Sequence, residues 1–292
     1  MQIGLFTPLR SPVATGEFLA QIGRQSEERG IASLWLGEHV VTFPAYDSKY
    51  PGSPDGVFRF PEQSGLMDMV ASIGYLAACT STVRLGTGIC ILPQNNPVYV
   101  AKEYATLDFL SGGRLDFGVG VGWSWEEFEA VGAPWERRGA RCDEYLEVIT
   151  TLWTDDLSSY QGEFYQLPPC HLYPKPAQKP MVPITVGGHS EAALRRTARF
   201  GSGWYGVNLD PAGTADLLTR LDRHLEAAGR SRSELKIVMG ATNDHIQPEL
   251  VERYAEAGVT ELLIPFLRQG TKHLEANLDK LTPYLDVARS LS

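Results

Sequence analysis

Runs with the period of a strand and runs with the period of a helix alternate along the whole chain. That rhythm restricts the fold more than any single motif. Strand-like segments cover residues 2–7, 32–37, 83–92, 115–121, 182–186, 203–207, 235–239 and 260–265. A helix-like segment follows each, at 15–29, 66–79, 98–110, 140–153, 190–200, 211–228, 248–257 and 272–289. Glycines close several of these helices, at Gly30, Gly112-Gly113 and Gly258. Such alternation gives a parallel sheet, and eight units are the number that closes a TIM barrel. A doubly wound sheet split six and two is the alternative. No linker or composition break divides the 292 residues, so one (β/α)8 TIM-barrel domain over 1–292 is expected. Two long segments lack a regular period: 41–64, and 155–180 with Pro168-Pro169, Pro174, Pro176 and Pro180. They read as insertions after strands two and four, at the strand C-terminal ends where barrels build their sites.

Charge and cysteine usage exclude several function classes. The formal net charge is −9, and no basic run exceeds a pair such as Arg137-Arg138. Nucleic-acid and anionic-membrane surfaces need clustered Lys and Arg, so neither partner is expected. No apolar stretch approaches the ~20 residues of a membrane span. The N-terminus runs straight into a strand, without the features of a leader, and a cytoplasmic location is expected. Cys79, Cys90, Cys142 and Cys170 lie far apart and read as reduced thiols. His171, His189, His224, His245 and His273 fall in no ligand pattern, so no metal is expected. The absence of GxSxG leaves nucleophilic hydrolysis without support.

The strand ends therefore supply the candidates. They are Phe6-Thr7-Pro8, Gly37-Glu38-His39, 86–91 (GTGICI), 118–123 (GVGVGW), 186–190 (VGGHS) and Trp204-Tyr205-Gly206. GVGVGW has GxGxG spacing where a dinucleotide fingerprint needs GxGxxG. The region about 20 residues on holds Arg137, Arg138 and Arg141 in place of an acid. A Rossmann site is therefore rejected. Gly118 and Gly120 are equally consistent with packing and with function, whereas Gly122, at the mouth, reads as functional. The turn Gly187-Gly188-His189-Ser190 frees backbone N–H groups at a helix start, which suits an anion. Taken alone it reads as an ordinary capped turn. Glu38 and His39 are neighbours on a strand, so at most one points into the mouth. His39 is the candidate general acid or base.

Taken together, the segments LWLGEHV (34–40), 85–132, RRGARCDEYLEVITTLW (137–153) and 184–205 resemble the bacterial luciferase-like monooxygenase superfamily. GVGVGW followed by EEFEAVG and RGARCDEYLEV looks most like the actinobacterial branch that uses coenzyme F-420, an 8-hydroxy-5-deazaflavin. The resemblance implies a barrel holding that coenzyme at its mouth and passing hydride to or from a small organic substrate. It implies a non-prolyl cis peptide on strand three, mapped to Cys90-Ile91 beside Gly88. It turns Gly187, Gly188, His189 and Ser190 into the phosphate-holding turn. Phe6, Glu38, Gly120, Gly122 and Trp123 complete the implied coenzyme surface, with His39 and Glu38 as the catalytic pair. Trp125 and Trp204 are further candidates for apolar walls.

This chain also departs from its relatives. Sugar-phosphate dehydrogenases of the family carry a glutamate where Trp123 stands, so an apolar or aromatic substrate is implied. FMN-using members often carry an arginine where Val121 stands, which favours F-420 over FMN. An FMN-dependent monooxygenase is the alternative enzyme, and a non-catalytic coenzyme-binding barrel the alternative outside enzymology. Family members commonly form homodimers through the helices flanking strands two to four, where Tyr75, Tyr104 and Phe109 would lie. Substrate contacts would come from the 41–64 and 154–180 segments.

Overall fold

In the first strand, β1 (Gln2–Phe6), alternate residues take opposite sides, and that two-sidedness repeats around the molecule. The computed structural model describes residues 1–7, 9–53, 55–61, 63–241, 246–266 and 270–291; Pro8 and His245 lie outside them. The other barrel strands are β2 (Ser33–Leu36), β3 (Arg84–Thr87), β4 (Leu115–Gly120), β5 (Ile184–Gly187), β6 (Gly203–Val207), β7 (Lys236–Gly240) and β8 (Glu261–Pro265). All neighbouring pairs are parallel. The ring closes through β1 on β8, with Gln2 opposite Glu261, and β4 on β5, with Gly118 opposite Thr185. The expected eight-stranded barrel is therefore the observed one.

Helices α1 (Gly16–Arg29), α2 (Met69–Cys79), α3 (Pro97–Ser111), α4 (Trp125–Ala130), α5 (Arg138–Thr154), α6 (Glu191–Phe200), α7 (Pro211–Ala227) and α8 (Pro248–Glu256) lie between the strands. Their starts follow from local chemistry. Thr15, Asn96, Ser124, Ser190 and Asp210 each accept a backbone N–H from the first turn they cap. The run expected as one final helix is two, α9 (Leu274–Asp279) and α10 (Thr282–Ser290). Pro283 has no N–H to continue a preceding helix and sits in the first turn of α10. Helix α4 was hidden in the sequence by its shortness.

Outward residues such as Leu5, Leu34, Leu85, Phe117, Val119 and Val186 join the helices in one extensive core. The inward set is different in kind. At the floor, Asp116 holds the guanidinium of Arg84 at 2.7 and 2.9 Å and the Lys236 ammonium at 3.1 Å. Lys236 also pairs with Glu261, which accepts from Ser33; Ser33 in turn accepts from the Trp35 indole at 2.9 Å. Burial alone would raise Asp116, but the two cations hold its carboxyl below the ordinary range. Above this layer Trp35, Tyr205, Val238 and Leu263 fill the barrel, with Phe6 and Ile89 beside them.

Two expectations about connections change. Residues 155–180 leave the C-terminus of α5, whose capping residue is Asp155, so they start at the strand N-terminal end of the barrel and not at its mouth. They contain a hairpin, Ser158–Gln161 with Gln166–Cys170, packed along the outside of α5. Glu144 of α5 ties its tip by accepting from the N–H groups of Glu163, Phe164 and Tyr165. Pro168 and Pro169 conceal that strand in the sequence, because an edge strand tolerates residues without an N–H. The described residues of 41–64, by contrast, do lie over the mouth.

Candidate active site

The glycines of GVGVGW are explained by what their missing side chains admit. Asp116, Gly118 and Gly120 alternate inward along β4. A Cβ at Gly118 would stand 1.9 Å from the Thr87 carbonyl oxygen, and one at Gly120 2.1 Å from Ile89 Cδ1. Gly122 turns the chain with φ +75°, and a Cβ there would meet Ile91 at 2.7 Å and Phe128 at 2.9 Å. The strand thus passes beneath Ile89, and the turn at its end delivers Trp123 to the mouth.

Ile89 sits in the break between β3 and its continuation, Cys90–Ile91. The non-prolyl cis peptide is Gly88–Ile89, two residues before the Cys90–Ile91 bond to which it was assigned. The break is where the ladder is interrupted, since β3 ends at Thr87 and pairing to β4 resumes with Cys90 opposite Val119. The Cys90 side chain is buried on the outer, helix-facing side, so only its backbone reaches toward the barrel.

Glu38 and His39, expected on a strand, follow the end of β2 and part company. Glu38 accepts the Ile91 N–H at 2.5 Å and so holds the resumed strand in place. Burial, with Glu127 and Asp68 nearby, pushes its carboxyl up to about 7 against the pull of that hydrogen bond. The sign follows directly. Folding favours the protonated form, so this stabilisation is complete below the ordinary carboxylate value of 4.5 and is lost as pH rises through about 7. Glu38→Gln keeps an acceptor for Ile91. The coenzyme-free variant is expected to melt close to wild type near about pH 5 and above it beyond about pH 8. A gap that stays constant across that range would contradict the assignment.

His39 turns the other way. Its Nδ1 lies 3.2 Å from Glu127 Oε2, while Glu127 Oε1 accepts the Val40 N–H at 2.7 Å. The Glu127 side chain is buried and that of His39 nearly so, which leaves the far edge of the imidazole for chemistry. Glu127 escaped the sequence reading, and its local signal points elsewhere. Ser124-Trp125-Glu126-Glu127 reads as a capping box, in which Glu127 would turn back to Ser124. Ser124 does accept the Glu127 N–H at 3.3 Å, but the carboxylate itself goes to His39.

Over this pair lies an aromatic cover drawn from residues 41–64. Trp123 is its hub, with ring centroids 5.0 Å from Tyr50, 5.2 Å from Phe58, 5.4 Å from Tyr46 and 5.9 Å from His39. Phe58 also packs on His39 at 4.8 Å. The segment is tied at both sides of the mouth. Glu126 accepts the N–H groups of Asp47 and Ser48 at 2.7 and 2.9 Å, and Asn208 after β6 donates to the Gly52 carbonyl at 2.8 Å. Burial opposes ionisation of Glu126, yet the Ser48 N–H, its own N–H and the hydroxyls of Ser124 and Ser48 hold its carboxyl down to about 2. Of the other aromatic candidates, Phe6 does face the barrel interior. Trp204 packs outward and donates to the Gly188 carbonyl, and Trp125 stands exposed at the start of α4. Tyr104 is buried in the helix layer, while Tyr75 and Phe109 are exposed.

The turn after β5 leads into α6. Gly188 takes φ +121°, and Ser190 caps the helix by accepting the Ala193 N–H at 3.2 Å. His189 accepts from the Val207 N–H at 3.2 Å, and burial together with the Arg220 charge lowers its pKa. Arg220, which pairs with Glu191, brings a guanidinium to this turn.

A profile of luciferase-like monooxygenases matches residues 1–268. The chain belongs to the luciferase-like monooxygenase family. Among curated proteins it is 33% identical over 250 residues to an uncharacterized protein of Mycobacterium tuberculosis, covering 85% of each chain. It is 30% identical over 225 residues to the F-420-dependent glucose-6-phosphate dehydrogenase of Kineococcus radiotolerans, covering 74% of this chain and 60% of that one. An FMNH(2)-dependent dimethylsulfone monooxygenase of Pseudomonas putida shares 38% identity over 136 residues, 45% of this chain and 37% of the other. A solved F-420-dependent secondary alcohol dehydrogenase superposes with a TM-score of 0.78 at 18% identity, covering 98% of both chains. The family thus contains both deazaflavin and flavin users.

Proposed function

We propose that this family member is an F-420-dependent oxidoreductase that moves hydride between the deazaflavin and a small, apolar or aromatic organic substrate. The observation that carries the reading is the lining at the end of β4. By the resemblance, Val121 stands where FMN-using members often carry an arginine, and Trp123 where sugar-phosphate dehydrogenases carry a glutamate. Trp123 gathers the rings of His39, Tyr46, Tyr50 and Phe58, an environment that rewards a flat apolar ligand.

The residues present fit a deazaflavin. The glycine turn at Gly187 and Gly188, the N-terminus of α6 and Arg220 would hold a phosphate. The Gly88–Ile89 bulge, Phe6, Gly120, Gly122 and Trp123 would flank the ring, with Cys90 and Ile91 contributing backbone. Bound there, the deazaflavin supplies a two-electron hydride donor or acceptor that reacts poorly with oxygen. His39, oriented by Glu127, delivers or removes the accompanying proton at its free ring nitrogen. Glu38 keeps the bulge in shape through Ile91. The 41–64 segment excludes water while the proton moves.

Titration with each coenzyme in turn tests the proposal. The FMN-dependent alternative draws support from the Pseudomonas relative, whose similarity covers less than half of this chain.

A further inference from the structure

Tyr205 stands on β6 with its side chain inside the barrel, packed with Trp35, Val238 and Leu263. The residue is 5% exposed, and its ring centroid lies 5.4 Å from that of Trp35. Polar groups around it are engaged: the Trp35 indole donates to Ser33, and the Thr87 hydroxyl donates to the Gly118 carbonyl at 2.7 Å. The Tyr205 hydroxyl has no hydrogen-bond partner among the described residues. Its oxygen is not one of the side-chain atoms sealed from solvent without a partner, so it reaches the open space of the mouth, and phenylalanine would fill the same volume without offering a donor there.

Its position shows what the hydroxyl serves. A Cβ at Gly240 would lie 3.2 Å from the hydroxyl oxygen, and one at Gly88 3.4 Å. Two strands, β7 and the end of β3, thus present glycine to this one oxygen. The hydroxyl stands level with the Gly88–Ile89 bulge and beneath the aromatic cover. Burial, with Tyr50 and Glu261 nearby, pushes the phenol well above its ordinary range, so it remains protonated and can donate.

We propose that Tyr205 is a specificity-determining residue whose hydroxyl donates a hydrogen bond to a carbonyl oxygen of the ligand held in the mouth. The inference rests on the reading of the mouth as a coenzyme and substrate site. A carbonyl oxygen is available from two sources there, the pyrimidine end of the deazaflavin or a ketone substrate, and the test separates them. In either case the ligand is an apolar or aromatic body carrying one acceptor that meets a fixed, neutral donor.

The test compares Tyr205→Phe with wild type in three measurements. Coenzyme-free Tyr205→Phe is expected to unfold at the same temperature as wild type or higher. A fall of several degrees would show that the hydroxyl is bonded in the free protein, and would overturn the assignment. F-420 affinity is then measured by fluorescence titration. With F-420 bound, the preference for acetophenone over ethylbenzene is measured by ligand-observed NMR. A loss of about tenfold in F-420 affinity places the oxygen on the coenzyme, and a similar loss of the ketone preference alone places it on the substrate. If both quantities are unchanged, Tyr205 has no such role. A wild-type protein that binds neither F-420 nor FMN overturns the reading of the mouth together with this assignment, and does so as an absent titration instead of an unchanged variant.

Discussion

Replacing His39 with alanine is expected to lower turnover by about 100- to 10,000-fold, the usual contribution of a positioned general acid or base. F-420 affinity should change little, because the residues placed around the phosphate and ring are elsewhere. The geometry supports this separation. Glu127 is committed on both oxygens, one to His39 Nδ1 at 3.2 Å and one to the Val40 N–H at 2.7 Å. The imidazole is therefore held between its carboxylate partner and the Phe58 ring, with one ring nitrogen left over. Single-turnover kinetics with F-420 at saturation separates the chemical step from binding. Turnover equal to wild type would remove His39 from the mechanism.

The largest expected effect on stability comes from one methyl group on β4. In Gly118→Ala the new Cβ would lie 1.9 Å from the Thr87 carbonyl oxygen and 3.1 Å from the Trp35 ring. Neither neighbour can give way freely. Thr87 is hydrogen-bonded through its side chain to the Gly118 carbonyl, and its strand is paired to β2, with Leu36 opposite Thr87. Overpacking typically costs about 1–3 kcal/mol. A clash with backbone in a closed ring should reach the top of that range or exceed it, lowering the melting temperature by roughly 5 °C or more. Gly74→Ala on α2 is the internal comparison, since its Cβ would make only an ordinary 3.5 Å contact with Leu107. That variant should be neutral or slightly stabilised by the better helix propensity of alanine. Equal melting temperatures for the two variants would contradict the packing account.

What was legible in the sequence was periodic. Alternation along β4 placed Asp116, Gly118 and Gly120 on one side, and eight such strands with intervening helices left few arrangements besides a closed barrel. The capped turn at Ser190 and the glycine stop at Gly30 could be read from composition alone. What was not legible depended on partners distant in the chain. Glu127 meets a histidine 88 residues earlier, and its own neighbourhood satisfies a capping pattern that accounts for it otherwise. The cis bond fell on Gly88–Ile89 because the ladder breaks after Thr87, and the letters GTGIC do not mark that point. The hairpin in 155–180 was masked by prolines that its edge position tolerates. The unpaired hydroxyl of Tyr205 likewise appears only when the barrel closes around it.

The central claim is that the mouth of this barrel takes a deazaflavin. Parallel fluorescence titrations of the purified protein with F-420 and with FMN, each in oxidised form at one ionic strength, test it most directly. The account predicts saturable F-420 binding at least about tenfold tighter than FMN, since Val121 stands where the resemblance puts an arginine in many FMN-using members. FMN binding as tight as F-420 or tighter would contradict it.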